Sequence, residues 1–213
     1  MGLKDPAEGL AFVSNIFPLP ESGISQEEDG DLSEYNGNTS FFGTTTSPTI
    51  SGSEYAIACS TDGTSVYSEA TFEGGEYNQF SMYVYPEQKT NNEVMLVDPS
   101  NGNVVLGIYF RSDAGIYYSG SNNDQGSISN SGSTRREDGV ELVSGGNTSP
   151  EYYHIELKNI DWLDEVVDIA VDGAIVKTGE PFILSGVPSV LQINSNSGSS
   201  KNRGYIDKID LGN

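Results

Sequence analysis

The sequence predicts an all-β fold, an antiparallel β-sandwich or barrel preceded by an extended N-terminal arm. Three observations predict it. Short alternating runs rich in Val, Ile, Tyr and Phe recur from about residue 49 onward. Gly, Asn, Asp and Ser break them at turn spacing, and no segment keeps a helical period over three turns. Strands in series with no helices between them bury their apolar faces against a second sheet or close on themselves. At 213 residues the chain is long enough for one large core.

Residues 1–45 carry Pro18, Pro20, "EEDGD" and "NGNTS" without a sustained period, and read as an arm in which "LAFVSNIF" is a short strand or a docking segment. The sandwich is expected over 46–213. "TISGSEYAIACSTDGTSVYSEATF" predicts strands near 54–60 and 65–72. In "QFSMYVYP", Phe80, Met82 and Val84 share one face, Ser81, Tyr83 and Tyr85 take the other, and Pro86 ends the strand. "NEVMLVDPSNGNVVLGIYF" predicts a hairpin of Val94–Val97 and Val104–Phe110 around Asn101-Gly102. After "DAGIYYSG" the polar tract "SNNDQGSISNSGSTRREDG" is either a loop or a strand pair with long connections. The chain closes with "YYHIELKNI", "VVDIAVDG", "AIVKTG", "PFIL", "VLQIN" and "GYIDKIDL". Asp172-Gly173 marks a tight hairpin turn, since glycine tolerates positive φ. Ile206, Ile209 and Leu211 are apolar but out of strict alternation, which predicts a bulge near Asp207-Lys208.

The order of these segments carries a resemblance. Gly52 to Ala56, then "FSMYVYP", "VMLVDPSNG", "GIYF", "YYHIELKNIDW", the Asp172-Gly173 hairpin and the terminal Gly204 to Leu211 strand follow in a set sequence. Over roughly residues 45–213 the chain resembles the laminin G-like and concanavalin A-like lectin/glucanase superfamily. That resemblance implies a jelly roll of two packed sheets, and relatives of this kind often hold calcium at a sheet rim.

Charge bounds the partners. The chain has 31 Asp+Glu against 10 Lys+Arg, a formal net charge of −21. Such a surface disfavours nucleic acid and anionic membranes, which require cationic contacts. Self-repulsion of this size is screened to within about 3 Å at roughly 1 M salt. The sequence therefore points to a halophilic source, an archaeon or one of its viruses, with an ordinary acidic extracellular domain as the alternative. Twelve Tyr and eight Phe supply a core, which sets disorder aside beyond the N-terminus. Cys59 is single, so it forms no internal disulfide and reads as a small buried hydrophobe. The N-terminal segment has neither the apolar run of a secretory signal nor a membrane span, and Pro6 breaks the myristoylation pattern. Without an export signal, "NTS" at Asn38 and Asn147 reads as chance.

No catalytic residues are expected. Retaining glucanases of the superfamily it resembles carry alternate carboxylates on one strand, which face one cleft. "DWLDEVVDIAVDG" does not supply that pattern: Glu165 and Asp168 take opposite faces, and the apolar side is Val167, Ile169 and Val171. It reads as a strand with a solvated acidic face. His154, the only histidine, is expected to face outward with Glu156 if Ile155 and Leu157 face inward. The Gly-rich stretches have no phosphate-loop setting.

Glycan stacking needs a flat aromatic beside polar groups, and Tyr117, Tyr118, Tyr152, Tyr153 and Trp162 are the candidates, with sheet packing or a subunit interface as the competing use. For a structural calcium the oxygen donors would come from Asp98, Asn101, Asp172 and Asp207, with Asp113 and Asp124 as further candidates. No spacing selects among them. The expectation is a non-enzymatic structural or adhesion protein on a virus particle: a capsid decoration, turret or tail-fibre component of a halophilic archaeal virus. Its expected partners are copies of itself, other virion proteins and host surface glycans. The alternative is a carbohydrate-binding module of a halophile's cell-surface or exported protein. A glucanase-like hydrolase with a rearranged pair, built on Glu165 or Asp168, is a third reading.

Overall fold

The computed structural model describes residues 36–37, 42–59, 66–71, 77–87, 92–110, 114–118, 139–146, 149, 151–195 and 204–212. They form strands and connections, with no helix among the described residues. The strands are β1 (Asn36–Gly37), β2 (Phe42–Thr45), β3 (Ala56–Cys59), β4 (Val66–Thr71), β5 (Gln79–Tyr85), β6 (Asn92–Asp98) and β7 (Asn103–Phe110). They continue as β8 (Ile116–Tyr118), β9 (Val140–Val143), β10 (Tyr153–Asp161), β11 (Val166–Val171), β12 (Ala174–Pro181), β13 (Val190–Ser195) and β14 (Gly204–Gly212). Two antiparallel sheets result, in the orders β1-β4-β13-β6-β7-β8-β9 and β12-β11-β10-β5-β14-β3-β2. The fold is the antiparallel sandwich that the alternating runs predict, in the jelly-roll form that the resemblance implies.

The core lies between the sheets. Phe80, Met82 and Val84 of β5 and Ile155 and Leu157 of β10 meet Leu96, Ile108, Phe110 and Tyr118 of the other sheet in one apolar cluster. Full burial of each large side chain is worth roughly 1.5–3 kcal/mol against exposure. With these positions inward, the alternate positions of β5 and β10 must face away from the core.

Turn chemistry sets the register. Asp172 and Gly173 both have positive φ, 51° and 79°, and Val171 pairs Ala174, so this is a two-residue turn of the primed kind. Asp172 Oδ1 also accepts the His154 amide at 2.9 Å, tying the turn to β10. The anticipated bulge in β14 is present: pairing with β5 shifts between Asp207 and Asp210, and Lys208 sits at φ 46°. The shift lets Ile206 and Ile209 both reach the core.

Several sequence expectations need correction. "PFIL" forms no strand of its own. Pro181 ends β12, and Ile183 donates its amide to Val105 O at 2.9 Å while the chain crosses from one sheet to the other. The short β9 was not anticipated. β1 and β2 precede residue 46, yet β1 pairs β4 and β2 pairs β3, so each adds a strand at the margin of a sheet. "LAFVSNIF", the tract 121–138, Asn38 and Asn147 lie outside the described residues, as does the side chain of Cys59.

Candidate functional site: an aromatic and polar sheet face

The outward face of β11, β10, β5 and β14 gathers the chemistry. Cross-strand pairing sets it in rows. Tyr83 lies opposite His154 on one side and Asp207 on the other. Ser81 lies between Glu156 and Asp210 in the next row, and Gln79 lies opposite Lys158 in the one after. In the row on the other side, Tyr85 pairs Tyr205.

Aromatics fill the upper rows. The Tyr83 and His154 rings stack with centroids 4.3 Å apart and planes 12° apart. Tyr85 meets Tyr152 edge-on at 5.2 Å and Tyr205 at 5.7 Å. Burial holds the Tyr85 hydroxyl above its ordinary pKa of 10.0, with Glu87 adding to the effect. Polar groups lie next to the stack. Lys158 Nζ is 2.6 Å from Glu156 Oε1, and His154 Nδ1 is 3.8 Å from Glu156 Oε2. Tyr83, His154 and Lys158 are half-buried and keep part of their surface in solvent, whereas Ser81 and Glu156 are buried beneath them.

A connection walls this face along β14. Asp207 is fully buried; its Oδ1 accepts Ser53 Oγ at 2.8 Å and its Oδ2 accepts the Ile50 amide at 3.2 Å. The Tyr152 hydroxyl donates to Pro48 O at 2.8 Å. Residues 46–55 are thus tied to both β14 and the start of β10.

Of the five aromatics selected from sequence, only Tyr152 belongs to this face. Tyr118 is wholly buried between the sheets and donates its hydroxyl to Pro181 O at 3.0 Å. Tyr117 is buried on the other sheet and donates to Glu141 Oε2 at 3.2 Å. Tyr153 shares its face with Ile155 and packs on the core. Trp162 donates Nε1 to Tyr77 O at 2.8 Å and meets Phe182 edge-on at 5.1 Å. Four of the five rings are therefore committed to packing. Tyr83, Tyr85, Tyr205, His154 and Glu156 are the face residues that the selection missed.

Carboxylates of the acidic stretch that begins at Asp161 take up local structural bonds. Asp161 Oδ1 accepts the amides of Leu163 and Asp164 at 2.9 and 3.0 Å and closes the turn into β11. Asp168 Oδ2 accepts Asn159 Nδ2 and its Oδ1 accepts the Gly179 amide, each at 2.9 Å. Asn159 and Gly179 both have positive φ, 49° and 63°, so Asp168 pins the two irregular positions on its neighbouring strands. These bonds, Asn159's foremost, hold the Asp168 carboxyl below its ordinary 3.8. Glu165 Oε2 accepts Ser185 Oγ at 2.7 Å.

The calcium candidates do not converge. Asp98 and Asn101 share the β6–β7 turn, where Asn101 Nδ2 donates to Asp98 Oδ2 at 3.2 Å and the Ser100 amide to Oδ1 at 2.9 Å. Ser100's bonds lead in holding Asp98 below 3.8. Asp172 and Asp207 stand at separate places, each in the bonds described above. Among the described residues no three His, Cys, Asp or Glu gather as a metal site. Asp113 and Asp124 lie outside the described residues.

No family model matches the chain, and no curated protein matches it. Solved structures do match in fold. A sialidase superposes with a TM-score of 0.63 at 9% identity over 88% of this chain, which spans 18% of the sialidase's length. The conserved carbohydrate esterase of the Shiga toxin-encoding bacteriophage phi24B gives 0.59 at 11% identity, over 89% of this chain and 96% of that one. A tetrameric galectin from the ball sponge Cinachyrella sp. gives 0.49 at 5% identity, over 69% and 99%. At such identities the likeness is one of fold alone. The sialidase and the phage esterase share with this chain a β-sandwich architecture, and no more than that.

Proposed function

We propose that this domain is a non-enzymatic glycan-binding and adhesion module. The observation that carries the reading is the outward face where the Tyr83–His154 stack stands beside Glu156, Ser81 and Lys158. A sugar presents an apolar ring face and a rim of hydroxyls, and such a face offers an aromatic surface with donors and acceptors at its edge. The likeness to a sialidase and a phage esterase supports the scaffold and lends nothing of their chemistry. The non-enzymatic part of the reading draws support from Asp161, Glu165 and Asp168, whose carboxylates are engaged in turn and bulge contacts.

The setting we assign is the exterior of a virus particle in a salty medium, as a capsid decoration, turret or tail-fibre component that assembles with its own copies. The excess of acidic residues supports the salty medium. A glycan array at roughly 1 M salt, run with the full chain and with Tyr83→Ala, tests the binding reading. Selective glycan capture lost in the variant is the expected result. Capture that survives Tyr83→Ala overturns this site.

A further inference from the structure

We infer that this face selects uncharged, hydroxyl-rich glycans over those bearing carboxylates, an inference that rests on the glycan-binding reading of the same face. The charge around the Tyr83–His154 stack is one-sided. On β10, Glu156 stands next to the stack, and Lys158, the cation on that strand's face, is already engaged by it at 2.6 Å. β14 places Asp210 opposite Ser81, while Asp207, opposite Tyr83, is fully buried and engaged by Ser53 and Ile50.

β11 adds Asp168 opposite Lys158, and the turn after β11 adds Asp172 against the His154 amide. The bonds from Asn159 and Gly179 favour the ionised form of Asp168. Lys208, the lysine of β14, reaches toward the covering connection: a Cβ at Gly52 would lie 3.9 Å from its Nζ. β5 contributes no charge to this face between Gln79 and Tyr85. Among the described residues of these four strands and the turn after β11, the carboxylates of Glu156, Asp168, Asp172 and Asp210 thus outnumber Lys158 and Lys208.

A carboxylate accepts hydrogen bonds from sugar hydroxyls, and two acceptors toward one hydroxyl pair form a good rim for a neutral sugar. A sugar that brings its own carboxylate meets like charge instead, which opposes binding. Salt modulates the penalty. Charges at such a face interact over about 10 Å at 0.1 M ionic strength but only about 3 Å at 1 M. Discrimination must therefore widen as salt falls.

The test uses the full chain and a panel of neutral hexose oligosaccharides, each paired with its counterpart oxidised at C6 to the uronate. Affinities are measured at roughly 1 M and 0.3 M salt, with circular dichroism confirming the fold at both. We expect the neutral member of a bound pair to bind at least about tenfold tighter at the lower salt, with a smaller gap at the higher. Asp210→Asn should narrow the gap, and Tyr83→Ala should remove both ligands. Equal or tighter binding of the uronate, still lost in Tyr83→Ala, overturns the charge inference and leaves the glycan reading intact. No Tyr83-dependent binding of either ligand overturns both.

Discussion

Tyr83 on β5 and His154 on β10 stack face to face across the strand boundary, with centroids 4.3 Å apart. Each ring fixes the other's position on the outward face, because both are held by the same cross-strand pairing. An aromatic pair of this kind is worth about 0.5–1.5 kcal/mol beyond its buried area. Tyr83→Ala should therefore cost about that much in stability while removing glycan capture, and Tyr83→Phe should keep both within error. Chemical denaturation alongside glycan titration of the two variants checks the split.

Stability should fall in acid through Asp98 and Asp168. Both carboxyls are held below their ordinary value of 3.8 in the folded state. The unfolded chain therefore binds the proton more readily, so their contribution is full above the ordinary value and is lost as pH drops through it toward the depressed folded values. The urea midpoint should be lower at pH 3 than at pH 7, and the double variant Asp98→Asn with Asp168→Asn should show a shallower decline. An unchanged pH slope in that variant would count against this assignment.

Gly204 leaves no room for a side chain. A Cβ there would run into the Oδ1 of buried Asn92 and lie 3.1 Å from the Phe110 ring. Gly204→Ala must push one of them aside, at a cost typical of overpacking, about 1–3 kcal/mol. Gly173→Ala has open space around it but a φ of 79°, so its smaller cost comes from the backbone alone. Thermal unfolding of the two variants separates crowding from backbone strain.

Asp207 should govern the connection over β14. Its carboxylate accepts both the Ile50 amide and Ser53 Oγ. Asp207→Ala leaves these donors without that acceptor and should destabilise the chain by roughly 1–3 kcal/mol. Amide hydrogen exchange should rise at Ile50 more than at strand residues such as Met82. Uniform exchange across the chain would mean that Asp207 acts on the fold as a whole and not on the connection.

With a net charge of −21 the chain should melt at a higher temperature in molar salt than in dilute buffer. Calorimetry over a salt series checks this, and a flat series would remove the halophilic setting.

The fold was legible because alternation is local. Phe80, Met82 and Val84 announce an inward face on their own, and the Asp172-Gly173 turn and the β14 bulge follow from their own residues. The face was half legible for the same reason. Alternation already turned Tyr83, Tyr85, His154 and Glu156 away from the core, yet nothing local says that β5 lies beside β10 in the register that seats Tyr83 on His154. Doubled aromatics do not sort themselves, for a complementary reason: in Tyr117-Tyr118 and Tyr152-Tyr153 neighbours point to opposite faces, and sheet position decides which ring turns to the core. The carboxylates of Asp161 and Asp168 bind amides brought in by turns and bulges, which a count of acids does not reveal.

The central claim is that a glycan lies against the Tyr83–His154 face, and His154 offers a direct reporter because the sequence holds one histidine. In the imidazole region of a nuclear magnetic resonance spectrum every signal belongs to that ring. Titration with a glycan that the protein binds should move those signals saturably, with the same dissociation constant as binding measured by calorimetry. Tight binding that leaves the His154 imidazole unmoved would place the ligand elsewhere and contradict the claim.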